Sequence, residues 1–198
     1  MESVNLSKDV RRRMSKVMQK ANTALFPLPT ILVTSVAEGC PPNIMTLAWT
    51  GIMNSEPPIL YIGVNTIRYS HKLIQESGEF VINIPSADLA RQVDYCGQVS
   101  GDKVDKFMDT GLTATPAAFV KTPMIAECPV NIECRVRETL CLGSHDAFIA
   151  DILAVHYNEE VLNEKGRPDI SLIKPYGYSL GEYRLLTEKI GSFGFSKK

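Results

Sequence analysis

The sequence predicts a mainly β protein with flanking helices, built around a six-stranded antiparallel barrel that is closed or nearly closed. Two observations predict this fold class. Short β-branched segments alternate with Gly- and Pro-containing turns in the first half of the chain, and two long consecutive strands follow in the second half. The 198 residues are 44% hydrophobic, which is enough for one sizeable core, so we expect a single domain over residues 1–198.

The chain opens with a predicted amphipathic helix over residues 1–21. Apolar residues recur there at three- and four-residue intervals between lysines and arginines, as on one face of a helix. Two prolines then end any helical structure. Three strands follow, from Thr30 to Val36, from Met45 to Ile52 and from Ile59 to Val64, with the second as the hairpin partner of the first.

Short helices and a fourth strand are predicted in the middle of the chain. Helical spacing runs from Tyr69 to Glu76 and stops at Gly78, before a strand from Phe80 to Ile84. Further helical segments are predicted from Ser86 to Val93 and from Lys103 to Thr110.

Two long strands complete the predicted barrel. From Val130 to Cys141 apolar and polar residues alternate with a period of two, which is typical of a half-buried antiparallel strand. The polar positions, expected to face solvent, are Asn131, Glu133, Arg135 and Arg137. After a turn at Gly143 and Ser144, the segment from Asp146 to Val155 adds the sixth strand.

Charge and cysteine content argue against several classes of partner. Lysine and arginine number 21 against 22 aspartates and glutamates, so no net field attracts nucleic acid or an anionic membrane. The five cysteines have irregular spacings and no C-x-x-C pair, as expected of reduced thiols in the cytoplasm. The sequence has no secretory signal and no apolar run of about 18 residues, so we expect a soluble protein without a membrane anchor.

The common catalytic signatures are absent from this sequence. It has no serine-hydrolase, zinc-protease, P-loop or dinucleotide-binding motif. The three histidines, His71, His145 and His156, do not lie at ligand spacing from one another or from a cysteine, so we expect no metal site. His71 and His156 belong to no motif, and we expect a core or solvated role for each.

The first candidate binding segment runs from Asn43 to Gly51. The only tryptophan, Trp49, lies there among small and hydroxylated residues. Main-chain amides at such a position can approach a flat aromatic ligand, and Thr46 and Thr50 can serve its heteroatoms. A core role for Trp49 is the alternative.

The second candidate segment runs from Asn65 to His71, where a strand leads into a helix that carries Arg68. Helix N-termini present unpaired N–H groups and a partial positive charge, which suit a phosphate, and arginine can add a bidentate contact. A solvated helix start capped by Thr66 or Ser70 is the alternative. The two segments together favour a ligand site.

Five segments in order resemble the flavin reductase-like family, and within it the flavoredoxin group of small FMN-binding proteins from anaerobic bacteria and archaea. They are Asn43 to Trp49, Arg68 to Ser70, Gly101 to Phe107, Gly143 to His145 and Tyr176 to Tyr178. The resemblance extends from about residue 22 to about residue 180. It implies a split barrel that binds FMN non-covalently between two identical subunits.

The resemblance also implies which residues contact FMN. Those lining the flavin would be Asn43, Met45, Thr46, Leu47, Ala48 and Trp49, with Trp49 near the phosphate end or the ring edge. Those gripping the phosphate would be Arg68, Ser70 and Lys106, and Lys103 competes with Lys106 for its role. His145 would donate a hydrogen bond or supply a proton, and Tyr178 would add an aromatic contact.

FMN carries its own redox chemistry, so no catalytic side chain is assigned. We favour an electron carrier that receives electrons from a partner protein. An NAD(P)H-dependent flavin reductase and a non-catalytic flavin-binding module are the alternatives, whereas an oxidase of a phosphorylated pyridoxine would need more basic residues. The strand edges and the apolar face of the N-terminal helix predict a homodimer with the cofactor at the junction.

Overall fold

The computed structural model describes residues 16–186 and 188–197. Most of the helix predicted over residues 1–21 lies outside the described residues. Its last part, residues 16–21, is irregular and exposed, so the prediction is wrong there. Val17 and Met18 are exposed and touch no core. An apolar helix face without a packing partner contributes little stability, because most helical stability in proteins comes from packing.

The described residues form an antiparallel β structure with short helices. The strands are β1 (Leu28–Pro29), β2 (Ile31–Ser35), β3 (Asn43–Leu47), β4 (Thr50–Ser55), β5 (Pro58–Asn65), β6 (Glu79–Ile84), β7 (Ala114–Thr115), β8 (Met124–Ile125), β9 (Val130–Cys141), β10 (His145–Tyr157), β11 (Tyr176–Ser179) and β12 (Glu182–Leu185). The helices are α1 (Tyr69–Ser77), α2 (Ala90–Gln98), α3 (Lys106–Thr110) and α4 (Ile170–Ile173). Apart from the strand predicted from Met45 to Ile52, each predicted strand is present to within two residues at either end.

That strand is divided in two by the closure of the barrel. Seven strands pair in the order β3-β2-β6-β9-β10-β5-β4, so β3 and β4 lie at opposite ends of the sheet although only Ala48 and Trp49 separate them. The sheet must therefore curl until its two ends meet. The N–H of Gly63 on β5 donates to the carbonyl oxygen of Trp49 at 2.8 Å, which ties this bend to the far end. Counted as one bent strand, β3 and β4 give the six predicted strands.

Two of the predicted helices begin later than the sequence indicates. The segment from Ser86 to Val93 starts as a 3-10 turn, Ala87–Leu89, and α2 then extends to Gln98. α3 begins only at Lys106, because the Asp105 side chain accepts the N–H of Met108 at 3.1 Å and caps the helix there.

The alternation predicted for β9 is wrong in its first half, where both faces are buried. Glu133 is fully buried, and its carboxylate accepts the main-chain N–H groups of Ala118, Phe119 and Val120 at 2.8, 2.6 and 3.1 Å. The loop before β8 thus covers the face that a period-two pattern assigns to solvent. Asn131 is buried on the same strand.

β2 separates two apolar layers and is buried along its whole length. Val33 belongs to the cluster inside the barrel, which includes Phe80 and Phe148. Leu32 belongs to a second cluster, in which it packs with Val93 of α2. α2 is therefore held against the outside of the barrel, beside the bend that joins β3 to β4.

Candidate functional site

The bend between β3 and β4 opens a cleft at the barrel end. It encloses about 230 Å³. Residues from β3 and the bend form one wall, and residues from β5, the start of α1 and β10 form the other. The lining residues are Met45, Thr46, Leu47, Ala48, Trp49, Gly63, Asn65, Ile67, Arg68 and His145. A single chain thus encloses less than the roughly 300–1,000 Å³ that is usual for ligand pockets.

Trp49 and His145 form an aromatic pair in the wall of this cleft. Their ring centroids lie 4.4 Å apart with an interplanar angle of 33°. Trp49 is 37% exposed, so it is not the core residue that the alternative interpretation would make it. His145 Nδ1 lies 3.0 Å from the hydroxyl of Ser144, which fixes one side of the imidazole.

A polar pocket adjoins the cleft where β3, α1 and the loop before α3 meet. Asn43 and Ser70 are both buried, and Asn43 Nδ2 donates to Ser70 Oγ at 2.8 Å. Gly101 packs so closely on this pair that a Cβ there would lie 1.9 Å from Asn43 Oδ1. Arg68 and Lys106 complete the lining.

α1 begins at this pocket with unpaired donors. Arg68 is the N-cap residue, and no side chain caps the helix. Among the described residues, the main-chain N–H groups of Tyr69 and Ser70 have no hydrogen-bond partner outside the helix. The exposed Arg68 guanidinium reaches the carbonyl oxygen of Gly97 at 3.2 Å. This arrangement suits an anion, because the helix start supplies both free N–H groups and a partial positive charge.

Lys106 brings a second positive charge to the same pocket. Its Nζ is buried and donates to the main-chain oxygens of Ile44 and Cys96, both at 2.8 Å, which leaves one of its three N–H groups free. Burial lowers the pKa of Lys106 to about 8, and the charge of Arg68 adds to the lowering. Lys103 is exposed, so the structure brings only Lys106 to the pocket.

A buried pair that the sequence did not predict joins the two sides of the site. His71 Nε2 donates to Asp146 Oδ2 at 2.8 Å, and both residues are buried. His71 directly follows Ser70 on α1, and Asp146 directly follows His145 on β10. The pair therefore fixes the start of α1 against the start of β10. Its adjacency to predicted site residues was the only available signal.

A larger cavity, of about 630 Å³, adjoins the cleft. It shares Trp49, Gly63 and His145 with the cleft. Its other walls come from the chain before β2, from β5, and from the turn between β9 and β10 with the start of β10. They include Leu25, Leu28, Tyr61, Leu142, Ser144, Asp146 and Ala147. No motif marked it, because its residues come from four separate stretches of sequence.

The structure brings together ten of the eleven predicted contact residues. Tyr178 is the exception, since it lies in β11 of the separate sheet β1-β11-β12 with its ring 5.7 Å from that of Tyr183. Thr46 and Thr50, whose hydroxyls were predicted to serve the heteroatoms of a ligand, both use the hydroxyl proton within the chain. Their hydroxyls donate to the main-chain oxygens of Val93 and Tyr61, respectively.

Within residues 16–186 and 188–197, no helix has the length and apolar character needed to cross a membrane. Nor do three or more His, Cys, Asp or Glu residues there gather into a group able to hold a metal ion. Three of the five cysteines are buried, and all five are free thiols.

The curled sheet and the cleft at its bend define the chain as a split-barrel protein with a site for a small anionic molecule. Residues 23–187 match the model of the flavin reductase like domain, so the chain belongs to that family. The family predicted from the five segments is thereby confirmed.

Individual relatives agree with this assignment. The chain is similar to flavoredoxin of Desulfovibrio vulgaris (Miyazaki F), with 33% identity and a TM-score of 0.86 over 93% of this chain and 100% of that one. It is similar to flavoredoxin from Methanosarcina acetivorans, with 33% identity and a TM-score of 0.84 over 93% and 98%. An uncharacterized protein of Archaeoglobus fulgidus is 37% identical over 74% of this chain and 81% of its own length.

Proposed function

We propose that this chain binds FMN non-covalently and transfers electrons through it, as a flavoredoxin-like carrier. The observation that carries the proposal is the junction of a cleft with a single anion pocket. FMN has a flat ring system with one polar edge and one phosphate at the far end of its side chain. A cleft walled by Trp49 and His145 beside a pocket with Arg68 and Lys106 matches that distribution of shape and charge.

The residues present fit the two parts of FMN. Arg68, the remaining N–H of Lys106 and the free N–H groups at the start of α1 would hold the phosphate through charge-assisted hydrogen bonds. The main chain from Thr46 to Trp49 and the imidazole of His145 would meet the polar ring edge. When bound, FMN supplies the redox chemistry. The chain contributes binding, orientation and exclusion of water from one side of the site.

We also propose that the chain forms a homodimer. One chain encloses a cleft smaller than most ligand pockets, so a second subunit would complete it. The free cysteines support a cytoplasmic location, where thiols stay reduced.

An NAD(P)H-dependent flavin reductase is the second candidate. It is favoured by the cavity beside Trp49 and His145, which gives a second small molecule room next to the cleft. A non-catalytic flavin-binding module would use the same cofactor site without passing electrons on.

The visible spectrum of the purified protein, followed anaerobically, separates these functions. A yellow protein bleached by a reduced iron–sulfur carrier protein but not by NADH or NADPH supports the carrier. Rapid bleaching by either nucleotide supports the reductase, and a yellow protein that only dithionite bleaches supports the binding module. A colourless protein that does not take up added FMN contradicts the proposal as a whole.

A further inference from the structure

We propose that the polar pocket at the start of α1 binds only the fully ionised form of a phosphate monoester, and that Asn43 and Ser70 set this preference. The inference rests on the proposed function, because the phosphate of FMN would be the ligand. A phosphate monoester loses its second proton at a pH of about 6. Its dianion offers only acceptor oxygens, whereas its monoanion also carries one P–O–H donor. A pocket that presents donors alone satisfies the dianion but not the monoanion.

Asn43 turns the hydroxyl of Ser70 into a donor. Asn43 Nδ2 donates to Ser70 Oγ at 2.8 Å, so the hydroxyl proton of Ser70 points elsewhere. Ser70 is only 1% exposed, and among the described residues its hydroxyl donates to no acceptor. A buried hydroxyl proton without an acceptor is costly. We therefore expect this proton to serve an oxygen of the bound anion.

The positive charges and the helix start add further donors. Two of the three N–H groups of Lys106 occupy main-chain oxygens of the pocket wall, and the third is free. The main-chain N–H groups of Tyr69 and Ser70 have no partner outside the helix. The guanidinium of Arg68 also donates only. The other polar side chains of the lining end in hydroxyl or thiol groups, which can donate: Tyr69, Ser100 and Cys96.

The lining offers almost no acceptor for a phosphate proton. None of the described lining residues is an aspartate or glutamate. Asp102, the residue after Gly101, is exposed and lies outside the lining. Asn43 Oδ1 is covered by Gly101, since a Cβ there would lie 1.9 Å from it. The open space of about 20 Å³ is little more than one water molecule needs, so no water would fit beside the phosphate to accept its proton.

The affinity for FMN should consequently fall in acid. Below a pH of about 6 most FMN carries the P–O–H group, and this form lacks a partner in the pocket. Burial lowers the pKa of Lys106 to about 8 and raises that of Cys96 to about 11, so both groups stay protonated below pH 7. Any positive charge gained in acid by His145 or by the His71–Asp146 pair would strengthen anion binding and act against this trend.

Two flavins that differ only in the terminal group test the preference on the full-length protein. Riboflavin 5′-sulfate carries a single negative charge and no proton on its sulfate at either pH 7 or pH 5, whereas FMN gains a proton between them. Quenching of flavin fluorescence should show FMN binding about five- to tenfold more weakly at pH 5 than at pH 7. The affinity for the sulfate ester should change less than about twofold. An equal change for the two flavins, or FMN binding without binding of the sulfate ester, overturns the proposal.

Asn43→Asp tests the part played by Asn43 and Ser70. The carboxylate would accept the hydroxyl proton of Ser70 and offer an acceptor to the P–O–H group of the monoanion. The two flavins should then differ in pH response by less than about twofold, although the added negative charge weakens the binding of both. Asn163→Asp, at an exposed position away from the pocket, is the matched control and should keep the wild-type pH response. A folded Asn43→Asp protein with the wild-type pH response would contradict the role of these two residues.

FMN binding at pH 7 separates this inference from the proposed function. A protein that binds FMN, but with the same pH response as the sulfate ester, contradicts the inference alone. If the protein takes up neither flavin, calorimetry with inorganic sulfate and inorganic phosphate at pH 5 tests the pocket directly, because that phosphate carries P–O–H groups and sulfate carries none. Sulfate binding at least about tenfold tighter than phosphate binding would support the inference and contradict the proposed function. Equal or weaker sulfate binding would contradict both.

Discussion

At the scale of single residues, Lys106 is where burial and charge oppose each other most strongly. It is 4% exposed, and its pKa falls from the ordinary 10.5 to about 8 because of burial. Between those two pH values the folded chain binds fewer protons than the unfolded chain, so the free energy of unfolding rises with pH. In FMN-free protein, urea denaturation should show a rise of up to about 1.4 kcal/mol per pH unit from this group.

Lys106→Met provides the background for that measurement. The difference in the free energy of unfolding between wild type and variant should be constant below pH 7, where Lys106 is charged in both the folded and the unfolded chain. It should then grow in favour of the wild type between pH 8 and about 10.5, the range between the folded and unfolded pKa values. Parallel pH profiles of the two proteins would show that burial leaves the lysine pKa unchanged.

Arg68 tests the phosphate side of the proposed FMN site. Arg68→Ala should weaken FMN binding by about 2 kcal/mol, or roughly 30-fold, because it removes a charge-assisted hydrogen bond. Arg91→Ala is the matched control, since Arg91 is an exposed arginine of α2 that does not line the pocket. Quenching of flavin fluorescence measures both affinities. An Arg68→Ala protein with wild-type affinity would remove this residue from the site.

Residues that are close in sequence were the predictable ones. Asn43 to Trp49 and Arg68 to Ser70 are continuous segments, so a motif could reveal them. The His71–Asp146 pair joins positions 75 residues apart, and Glu133 finds its partners in a loop 13 to 15 residues away. Such contacts depend on tertiary pairing, and residue spacing carries no information about it.

At the scale of elements, the break between β3 and β4 likewise depends on tertiary pairing and could not be predicted from the sequence. Strand propensity is continuous from Met45 to Ile52, and no Gly or Pro marks the bend at Ala48 and Trp49. The bend exists because β3 pairs with β2 while β4 pairs with β5. Closure of the sheet, a property of all its strands together, therefore creates the cleft.

Glu133 holds the loop before β8 to the barrel and makes a testable contribution to stability. Burial alone would raise the pKa of Glu133, but the N–H groups of Ala118 and Phe119 and the ring of His156 lower it below its usual value. Glu133→Gln should lower the free energy of unfolding at pH 7 by about 2 kcal/mol, because the amide lacks one acceptor oxygen. Urea denaturation measures the loss.

The exposed Glu138 on the same strand gives the control, since Glu138→Gln should change stability by less than about 0.5 kcal/mol. The stabilisation from Glu133 is present above the ordinary carboxyl pKa of 4.5 and is lost as pH falls through the lower folded value. The difference in the free energy of unfolding between wild type and Glu133→Gln should consequently become smaller in acid. If this difference did not change with pH, the loss of stability in Glu133→Gln would come from packing and not from the loss of the carboxylate charge.

At the scale of the whole molecule, β4 presents an apolar surface at the end of the sheet. It pairs with β5 on one side, and Ile52 and Met53 on it are exposed. An apolar edge strand of this kind is normally covered, because it otherwise promotes unspecific association. Trp49, which lines the cleft, immediately precedes β4. A second subunit that covers β4 would therefore also add a wall to the cleft.

Ile52→Glu tests whether the subunit contact and the cofactor site depend on each other. Ile52 is 70% exposed, so the charge should leave the isolated chain folded but oppose burial of this edge against a partner. Light scattering should give twice the chain mass for the wild type and a single chain mass for the variant. FMN affinity should also fall at least about tenfold, since the variant loses the part of the enclosure that the second subunit would supply. Ile170→Glu, 64% exposed on α4, should keep both the wild-type mass and the wild-type FMN affinity. A monomeric Ile52→Glu protein that binds FMN as tightly as the wild type would show that one chain forms the site alone.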